Sequence, residues 1–204
     1  MNNDIQTGIY GGSFNPIHIG HTTLGEWLVR EGYLDELWFL VSPQNPLKPA
    51  EGLLDDRARL HLAHLAVEEC NAAGSVANRL RVSDFEFRLP RPSYMVHTLE
   101  ALRATYPARD FVLVIGADNW ERFPQWYRSD EILRHHRLLI YPRPGYSVDS
   151  ASLPSGVTLA DTPLLDISST QIRQAIASDA EYDGEVLSPE VWQEIKARGY
   201  YRGR

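Results

Sequence analysis

Residues 7–21 read TGIYGGSFNPIHIGH, and this stretch decides the fold. Its first four residues suit a β-strand, two glycines follow, and a helical pattern begins near Ile19. In an open α/β sheet, ligands bind beyond the carboxyl ends of the strands, where helix N-termini offer unpaired N–H groups to anions. The stretch therefore predicts a strand, an anion-binding loop and a helix, in that order.

The same alternation of strand and helix continues along the chain. The runs ELWFLV (36–41), FVLVIG (111–116) and RLLIY (137–141) indicate buried strands. Helical patterns cover about 19–31, 55–69, 93–105 and 130–135. Because the apolar residues of the strands are continuous rather than alternating with polar ones, they suit a parallel sheet covered on both faces. We therefore predict an α/β fold with a doubly wound, mostly parallel sheet.

The remaining segments fit around this sheet. The sequence predicts extended chain over 79–87, a surface loop over 143–156 and an edge strand over 157–160. Two C-terminal helices are predicted, one opening at Ser168 and one at Ser188, where Pro189 fits the first helical position. No internal repeat or second core is evident, so we expect a single domain over residues 1–204, with these helices packed on the same sheet.

The amino-acid composition of the chain indicates which classes of binding partner are unexpected. The chain has 204 residues and a net charge of −7, so it lacks the overall positive field that draws proteins to nucleic acid. No segment approaches the roughly 20 apolar residues that span a membrane. We therefore expect no nucleic-acid or membrane partner and a cytoplasmic location. The one cysteine, Cys70, excludes an internal disulfide and a multi-thiolate metal site, and we interpret it as a structural thiol.

His18 and His21 flank Gly20 at the start of the first predicted helix. With no side chain at position 20, the two imidazoles can bracket a phosphate and donate hydrogen bonds to oxygens that gain charge as pyrophosphate leaves. The spacing by itself also fits a glycine turn followed by two surface histidines, because short motifs arise by coincidence.

Several segments together resemble one known family. GGSFNPIHIGH at 11–21 is similar to the HxGH signature of the nucleotidyltransferase superfamily and, more closely, to its nicotinate mononucleotide adenylyltransferase branch. Further segments follow in the order of that branch: NPLK with Lys48, GADNW, FPQWY, RPGY, ISSTQIR and ARGYY. HIGH also occurs in class I aminoacyl-tRNA synthetases, but this chain has no KMSKS-like segment and no basic surface for tRNA.

The resemblance implies a Rossmann-like nucleotidyltransferase fold and the transfer of AMP from ATP to nicotinate mononucleotide, which gives deamido-NAD and pyrophosphate in NAD biosynthesis. The implied catalytic residues, which offset the charge of the transition state, are His18, His21, Lys48 and Arg173. The implied ATP-binding residues are Gly11, Gly12, Ser13, Phe14, Gly20, Gly116, Asp118, Ser168, Ser169 and Thr170. The implied acceptor-binding residues are Asn15, Tyr94, Met95, Trp126, Tyr127 and Arg143.

The chemistry of two of these segments fits the implied roles. Ser168, Ser169 and Thr170 lie in the first turn of a predicted helix, and Arg173 follows one turn later. Hydroxyls, N–H groups and a guanidinium together suit a triphosphate, although an ordinary helix cap has the same sequence. Asp118 follows a buried strand, where it suits either a ribose hydroxyl or a helix N-cap.

Two positions depart from the wording common in the family. Asn15 stands where the family has Asp, which removes a charge that would help to hold Mg²⁺. Met95 stands in the PSYT segment without a side-chain donor, so it can help a carboxylate only through its backbone N–H. We expect Mg²⁺ to be carried mainly by the ATP phosphates, with no protein metal site.

Other interpretations stay open at this point. Lys48 also fits a solvated lysine, and Trp126 a core tryptophan. The acceptor also fits nicotinamide mononucleotide or phosphopantetheine, although Trp126 and the RPGY segment favour a pyridine mononucleotide. A non-enzymatic nucleotide-binding module is the alternative from a different class.

Overall fold

Six parallel strands form the sheet of the computed structural model, which describes residues 5–43, 52–73, 76, 78–178 and 184–202. In chain order they are β1 (Ile5–Gly12), β2 (Glu36–Val41), β3 (Leu80–Ser83), β4 (Arg109–Gly116), β5 (Arg137–Tyr141) and β6 (Val157–Leu159). The order across the sheet is β3-β2-β1-β4-β5-β6, and every neighbouring pair is parallel. The predicted doubly wound α/β sheet is confirmed.

The central strands form where the sequence has continuous apolar residues. Every residue of β2 is buried, and so are the last six residues of β4. β1 lies in the middle of the sheet, where Tyr10 pairs with Phe39 of β2 and Thr7 pairs with Phe111 of β4. Because neither face of these strands meets water, their side chains build a core on each face of the sheet.

Seven α-helices occur in the described part of the chain. They are α1 (Ile19–Arg30), α2 (Asp56–Ala72), α3 (Met95–Thr105), α4 (Ala117–Arg122), α5 (Ser129–His135), α6 (Ser169–Ser178) and α7 (Pro189–Arg198). Helices α1, α2, α6 and α7 cover the core that contains Phe39. Helices α3, α4 and α5 cover the core that contains Phe123 on the other face.

The C-terminal helices pack on the same sheet, as predicted. Ile172 and Ile176 of α6 and Val191 and Ile195 of α7 are buried in the core that also contains Phe39. Pro189 is the first residue of α7, and Gly199 ends this helix with a φ of 67°, a conformation that costs glycine little. The surface loop and the edge strand β6 also lie where the sequence predicts them.

The prediction of extended chain over 79–87 is wrong beyond Ser83. Residues Phe85–Arg88 form a 3-10 turn, in which the Phe87 N–H donates to the Asp84 carbonyl at 2.8 Å. The Ser83 hydroxyl accepts from the Phe85 N–H at 3.2 Å, so a local side-chain bond replaces the next bond of the strand ladder. This turn buries Glu86 against α3.

Helix α4 was not predicted, because its six residues are too few for a helical pattern and follow β4 without a loop. It carries Asp118 in its first turn. The chain then passes through a short 3-10 turn, Phe123–Gln125, which brings Trp126 toward the edge of the sheet.

A buried carboxylate lies near the amino ends of the strands, opposite the edge where ligands bind in such folds. Glu36 is 6% exposed, and its Oε1 accepts from Thr7 Oγ1 and Trp38 Nε1, both at 2.9 Å. Arg109 donates to the same oxygen from Nη1, and Arg81 Nε lies 3.3 Å from Oε2. This network ties β1, β2, β3 and β4 together at one end of the sheet.

We expect Glu36→Gln to lower the free energy of unfolding by about 3 kcal/mol, because it leaves a largely buried guanidinium without its counter-charge. Urea unfolding measures the change. Asp110→Asn is the matched control, since it breaks an exposed ion pair with Arg137 on the neighbouring strands and should cost less than about 1 kcal/mol. Equal losses in the two variants would contradict a structural role for this network.

Candidate functional site

A cavity of about 300 Å³, called the main cavity here, opens at the carboxyl ends of β1 and β4. The strand order reverses between these two strands, because the chain places β2 on one side of β1 and β4 on the other. Open α/β sheets bind ligands at this kind of switch point. The position of the main cavity therefore follows from the topology of the sheet.

The main cavity brings together residues from both predicted groups. From the predicted ATP site its walls contain Gly11, Gly12, Ser13 and Gly116. From the predicted acceptor site its walls contain Tyr94, Met95, Trp126 and Tyr127. Tyr94 and Tyr127 face each other with ring centroids 4.7 Å apart, which gives the cavity an aromatic side. These two rings already touch, so a flat ligand ring can pack against the outer face of this aromatic wall but not between the two tyrosines.

Three buried polar atoms of the cavity-lining residues lack a hydrogen-bond partner within the described part of the chain: Glu86 Oε2, Ser93 Oγ and Trp126 Nε1. Most buried polar groups in proteins are paired, and an unpaired one calls for an explanation such as a ligand or a water. Their shared position in one cavity indicates a surface made to bind a polar group.

A second cavity of about 20 Å³, the histidine recess, lies beside the main one. Its walls contain His18, Gly20, His21 and Arg143. The two cavities share Tyr10 and Tyr141, whose hydroxyl oxygens lie 3.0 Å apart and hydrogen-bond to each other. The tyrosine pair is therefore a common wall between the aromatic cavity and the histidines.

His18 is the residue before the first turn of α1 and is 5% exposed. Burial, with a smaller contribution from the charge of Arg143, lowers the pKa of His18 to about 3. Its ring is therefore neutral near pH 7. Its Nδ1 is buried and has no hydrogen-bond partner among the described residues.

The two rings of the HIGH segment stack on each other, with centroids 3.7 Å apart. The backbone N–H of His18 donates to Nδ1 of His21 at 3.2 Å, so a neutral His21 carries its proton on Nε2. Gly20 permits this arrangement, because a Cβ there would lie 3.0 Å from His18 Nδ1. Rings this close leave no room for a phosphate between them, so the predicted bracketing is not the arrangement seen here, and contact of either ring with a phosphate stays a prediction.

Asp118 and Arg143 meet at the end of β4. Arg143 Nε lies 3.8 Å from Asp118 Oδ1, and both side chains are about one-third exposed. Gly116 leaves room for them, since a side chain there would collide with Asp118 and would reach within 3.1 Å of the Tyr141 ring. Arg143 lines the histidine recess and not the main cavity, so its position does not match the predicted contact with the acceptor.

The start of α6 contacts the loop after β1. Ser169 Oγ donates to the Pro16 carbonyl at 3.0 Å, and Arg173 Nη1 donates to the Asn15 carbonyl at 2.7 Å. Ser168 Oγ accepts from the Thr170 N–H at 3.3 Å, which is an N-cap bond. The hydroxyl-rich turn and Arg173 are therefore brought to the loop that carries the histidines.

Asn15 joins three segments through its side chain. Its Oδ1 accepts from the Leu54 N–H at 3.2 Å and from the Tyr201 hydroxyl at 2.9 Å, and its Nδ2 donates to the Gly52 carbonyl at 3.0 Å. Since the amide is used in these bonds and does not line the main cavity, its position gives no support to the predicted contact with the acceptor. Phe14 likewise points into the core, with its ring 5.1 Å from that of His21.

Arg59 is a supporting residue that the sequence analysis missed. It is fully buried, and its guanidinium donates to the carbonyls of Leu54, Ser13, Ser42 and Pro43 and to Asp56 Oδ1. Its five N–H donors thus meet five acceptors. The bonds fix the loop after β1 to the end of β2.

The sequence does contain a sign that Arg59 and Glu86 are buried charges. Arg59 precedes Leu62, Ala63 and Ala66 on the buried face of α2, so it is a charge on an apolar helix face. Glu86 lies between two phenylalanines in a segment that the sequence predicts as extended. Neither pattern reveals which partners would satisfy the charge. Lys48, a predicted catalytic residue, lies outside the described residues.

The described residues also bear on three sequence predictions, which concern membrane-spanning helices, metal-binding clusters and the cysteine. No helix there is long and apolar enough to cross a membrane, and no three His, Cys, Asp or Glu side chains there form a group that could hold a metal ion. Burial raises the pKa of the Cys70 thiol to about 11, which keeps it protonated and agrees with a structural thiol.

Comparison with known proteins identifies relatives over nearly the whole chain. The model of the cytidylyltransferase-like family matches residues 9–175. A protein of Bacteroides thetaiotaomicron named "Probable nicotinate-nucleotide adenylyltransferase" is 53% identical over 196 residues, which cover 95% of this chain and 92% of that relative. A Bacteroides fragilis protein of the same name is 49% identical over 192 residues, which cover 93% and 90%.

Solved structures agree with the fold. The Plasmodium falciparum nicotinic acid mononucleotide adenylyltransferase complexed with NaAD superposes with a TM-score of 0.82 over 97% of each chain. Its sequence is 18% identical, so this likeness concerns the fold alone.

We expect the stability of the fold to fall as the pH is lowered, in part because of His18. The unfolded chain takes up a proton on this ring below about pH 6.5, whereas the folded protein does so only near pH 3. The contribution of His18 to the free energy of unfolding is therefore complete above pH 6.5 and is lost progressively as the pH falls below that value. Urea unfolding from about pH 8 to pH 4 measures the slope, which His18→Gln should reduce. His64→Gln, at an exposed position of α2, should keep more of this pH dependence of stability than His18→Gln does. Identical profiles for wild type and His18→Gln would contradict a buried, neutral His18.

Proposed function

This chain belongs to the cytidylyltransferase-like family, and we propose that it transfers the adenylyl group of ATP to nicotinate mononucleotide, giving deamido-NAD and pyrophosphate. One observation carries the proposal: an aromatic cavity and a recess with two stacked histidines share a wall at the switch point of the sheet. A reaction between two nucleotides needs two such sites side by side.

The acceptor occupies the main cavity in this proposal. A pyridine ring stacks against Trp126, with Tyr94 and Tyr127 beside it, because flat rings gain both buried area and favourable ring contacts there. The aromatic lining suits the flat ring of a pyridine mononucleotide better than phosphopantetheine, which has no ring to stack. The names of the curated relatives point to the acid form of the ring.

ATP binds across the histidine recess in this proposal. Gly11 and Gly12 let its phosphates approach the backbone after β1. Asp118 lies in the first turn of α4, directly after β4, and in this proposal its carboxylate accepts a hydrogen bond from a ribose hydroxyl. The recess has room for only about one water molecule, so its histidines adjoin the part of ATP next to the scissile bond rather than enclose it.

Transfer itself needs no protein nucleophile. An oxygen of the acceptor phosphate attacks the α-phosphorus of ATP, a new P–O bond forms, and the bond from the α-phosphorus to the bridging oxygen breaks as pyrophosphate leaves with the electron pair. The protein holds the two nucleotides in line. His21 donates from Nε2 to an oxygen that gains charge, and the neutral His18 holds His21 in this orientation through its backbone N–H.

Lys48 and Arg173 would offset the remaining charge, as the family resemblance implies. Arg173 reaches the loop after β1 through its bond to the Asn15 carbonyl, which leaves part of its guanidinium for a phosphate. Mg²⁺ would arrive with ATP, bound mainly by phosphate oxygens and water, and would neutralise charge on the leaving pyrophosphate. We expect the reaction to take place in the cytoplasm.

The decisive experiment is pyrophosphate release from ATP and Mg²⁺ with a panel of acceptors: nicotinate mononucleotide, nicotinamide mononucleotide and phosphopantetheine. We expect turnover with the pyridine mononucleotides, and His21→Ala should lower kcat by about 10²–10³, because its donor matters most in the transition state. His64→Ala, on the exposed side of α2, is the matched control and should keep normal turnover.

Each outcome separates the candidate functions. Turnover with phosphopantetheine alone would identify a different acceptor class, and ATP binding without pyrophosphate release would indicate a non-enzymatic nucleotide-binding module. A His21→Ala protein with near-normal kcat would remove the histidine recess from the reaction.

We expect Arg173→Lys to raise the KM for ATP by about tenfold, because an ammonium keeps the charge but cannot bind the Asn15 carbonyl and a phosphate with the same fork. Steady-state kinetics at saturating acceptor measure the change, and Arg30→Lys at the exposed end of α1 is the control. A variant with lower stability but an unchanged KM would show that Arg173 only fixes the loop.

A further inference from the structure

Glu86 presents a conflict with the proposed acceptor. Of the described residues that line the main cavity it is the one with a carboxyl group, it is 2% exposed, and its Oε2 is one of the three atoms there without a hydrogen-bond partner. An acid acceptor brings a second carboxylate into this cavity. Two ionised carboxylates in a buried space repel each other strongly, so the two charges cannot both remain.

The surroundings of Glu86 decide which carboxyl gives up its charge. Thr98 Oγ1 of α3 donates to Glu86 Oε1 at 2.9 Å. The hydroxyls of Ser42, after β2, and Ser93, before α3, also face the carboxyl. Arg88, on the same turn, donates instead to Asp84 at 3.4 Å. Among the described residues, hydroxyls and not cations are therefore the groups that face this carboxyl.

Burial raises the pKa of the Glu86 carboxyl above its ordinary value, and the nearby hydroxyls of Ser42, Thr98 and Ser93 offset part of that rise. The other titratable side chains that line the main cavity in the described part of the chain are Tyr10, Tyr94, Tyr127 and Tyr141, which bring no positive charge. A neighbouring substrate carboxylate would raise the pKa of Glu86 further.

We propose that Glu86 determines the choice between acid and amide acceptors: in its neutral form it donates a hydrogen bond from Oε2 to the carboxylate of the ring. This rests on the proposed function. Trp126 Nε1, a donor without a partner, is a second group on the same cavity that suits a carboxylate. The carboxylate thus meets donors, and the charge of Glu86 is removed by a proton from solvent.

The ionised form of Glu86 has the opposite preference. A carboxylate at this position repels an acid acceptor but accepts a hydrogen bond from the NH₂ group of an amide. The ratio of kcat/KM for the acid to kcat/KM for the amide should therefore fall as the pH rises above the pKa of Glu86. The acceptor phosphate ionises alike in both substrates, so its effect cancels in this ratio.

The test measures that ratio between about pH 5 and 9, a range that includes the pKa values known for buried glutamates. In the wild type the ratio should fall by up to tenfold per pH unit above the pKa, since each unit changes the neutral fraction tenfold. In Glu86→Gln, which has the same shape but cannot ionise, the ratio should be independent of pH. Glu100→Gln, an exposed position of α3, should behave as the wild type.

A flat wild-type ratio overturns the proposal, and so does a Glu86→Gln protein that keeps the wild-type slope. If Glu86→Gln lowered kcat/KM equally for the acid and the amide acceptor and kept the pH dependence of their ratio, Glu86 would only support α3. Absence of pyrophosphate release with either mononucleotide would instead overturn the proposed function, so the two failures are distinguishable.

A measurement on the wild type covers the case in which Glu86→Gln does not fold. Calorimetry in two buffers of different ionisation enthalpy, at a pH where the ratio has begun to fall, reports protons exchanged on binding. Acid binding should take up part of a proton and amide binding should release part of one. Equal proton exchange for the two acceptors would overturn the proposal.

Discussion

The parallel pairing of β1 with both β2 and β4 is the constraint on which the rest of the structure depends. Parallel strands bring all their carboxyl ends to one edge, and the reversal of strand order at β1 leaves a gap at that edge between the loops. The main cavity and the histidine recess both lie there. Residues far apart in the chain, such as His21 and Trp126, come to neighbouring cavities only because their strands are aligned in this way.

The loops at this edge are held by buried polar groups whose bonds are satisfied inside the protein. Arg59 donates to the carbonyls of Ser13 and Ser42, and Asn15 joins the loop after β1 to Leu54 and to the C-terminal Tyr201. Burying a guanidinium is costly unless each donor finds an acceptor, and here all five do. Such fully bonded anchors give the loops fixed positions without occupying the cavity.

The cavity surface follows the opposite rule. Glu86, Ser93 and Trp126 each present a buried polar atom that no described residue satisfies. His18 Nδ1 is in the same condition beside the histidine recess. The anchors Arg59 and Asn15 are thus bonded within the chain, whereas several groups of the cavity walls are left to bind a ligand or water.

The sequence by itself determined the strands, most helices and the family, because continuous apolar runs fix buried parallel strands and the HIGH segment with its companion motifs is specific in combination. It also identified twelve of the residues that line the two cavities. Only the tertiary structure decided that Arg143 faces the recess, that the Asn15 amide is used between loops, and that Arg59 and Glu86 matter. The reason is physical: periodicity reports which face of an element is buried, but the partners of a buried charge come from segments distant in the chain, and no local pattern encodes them.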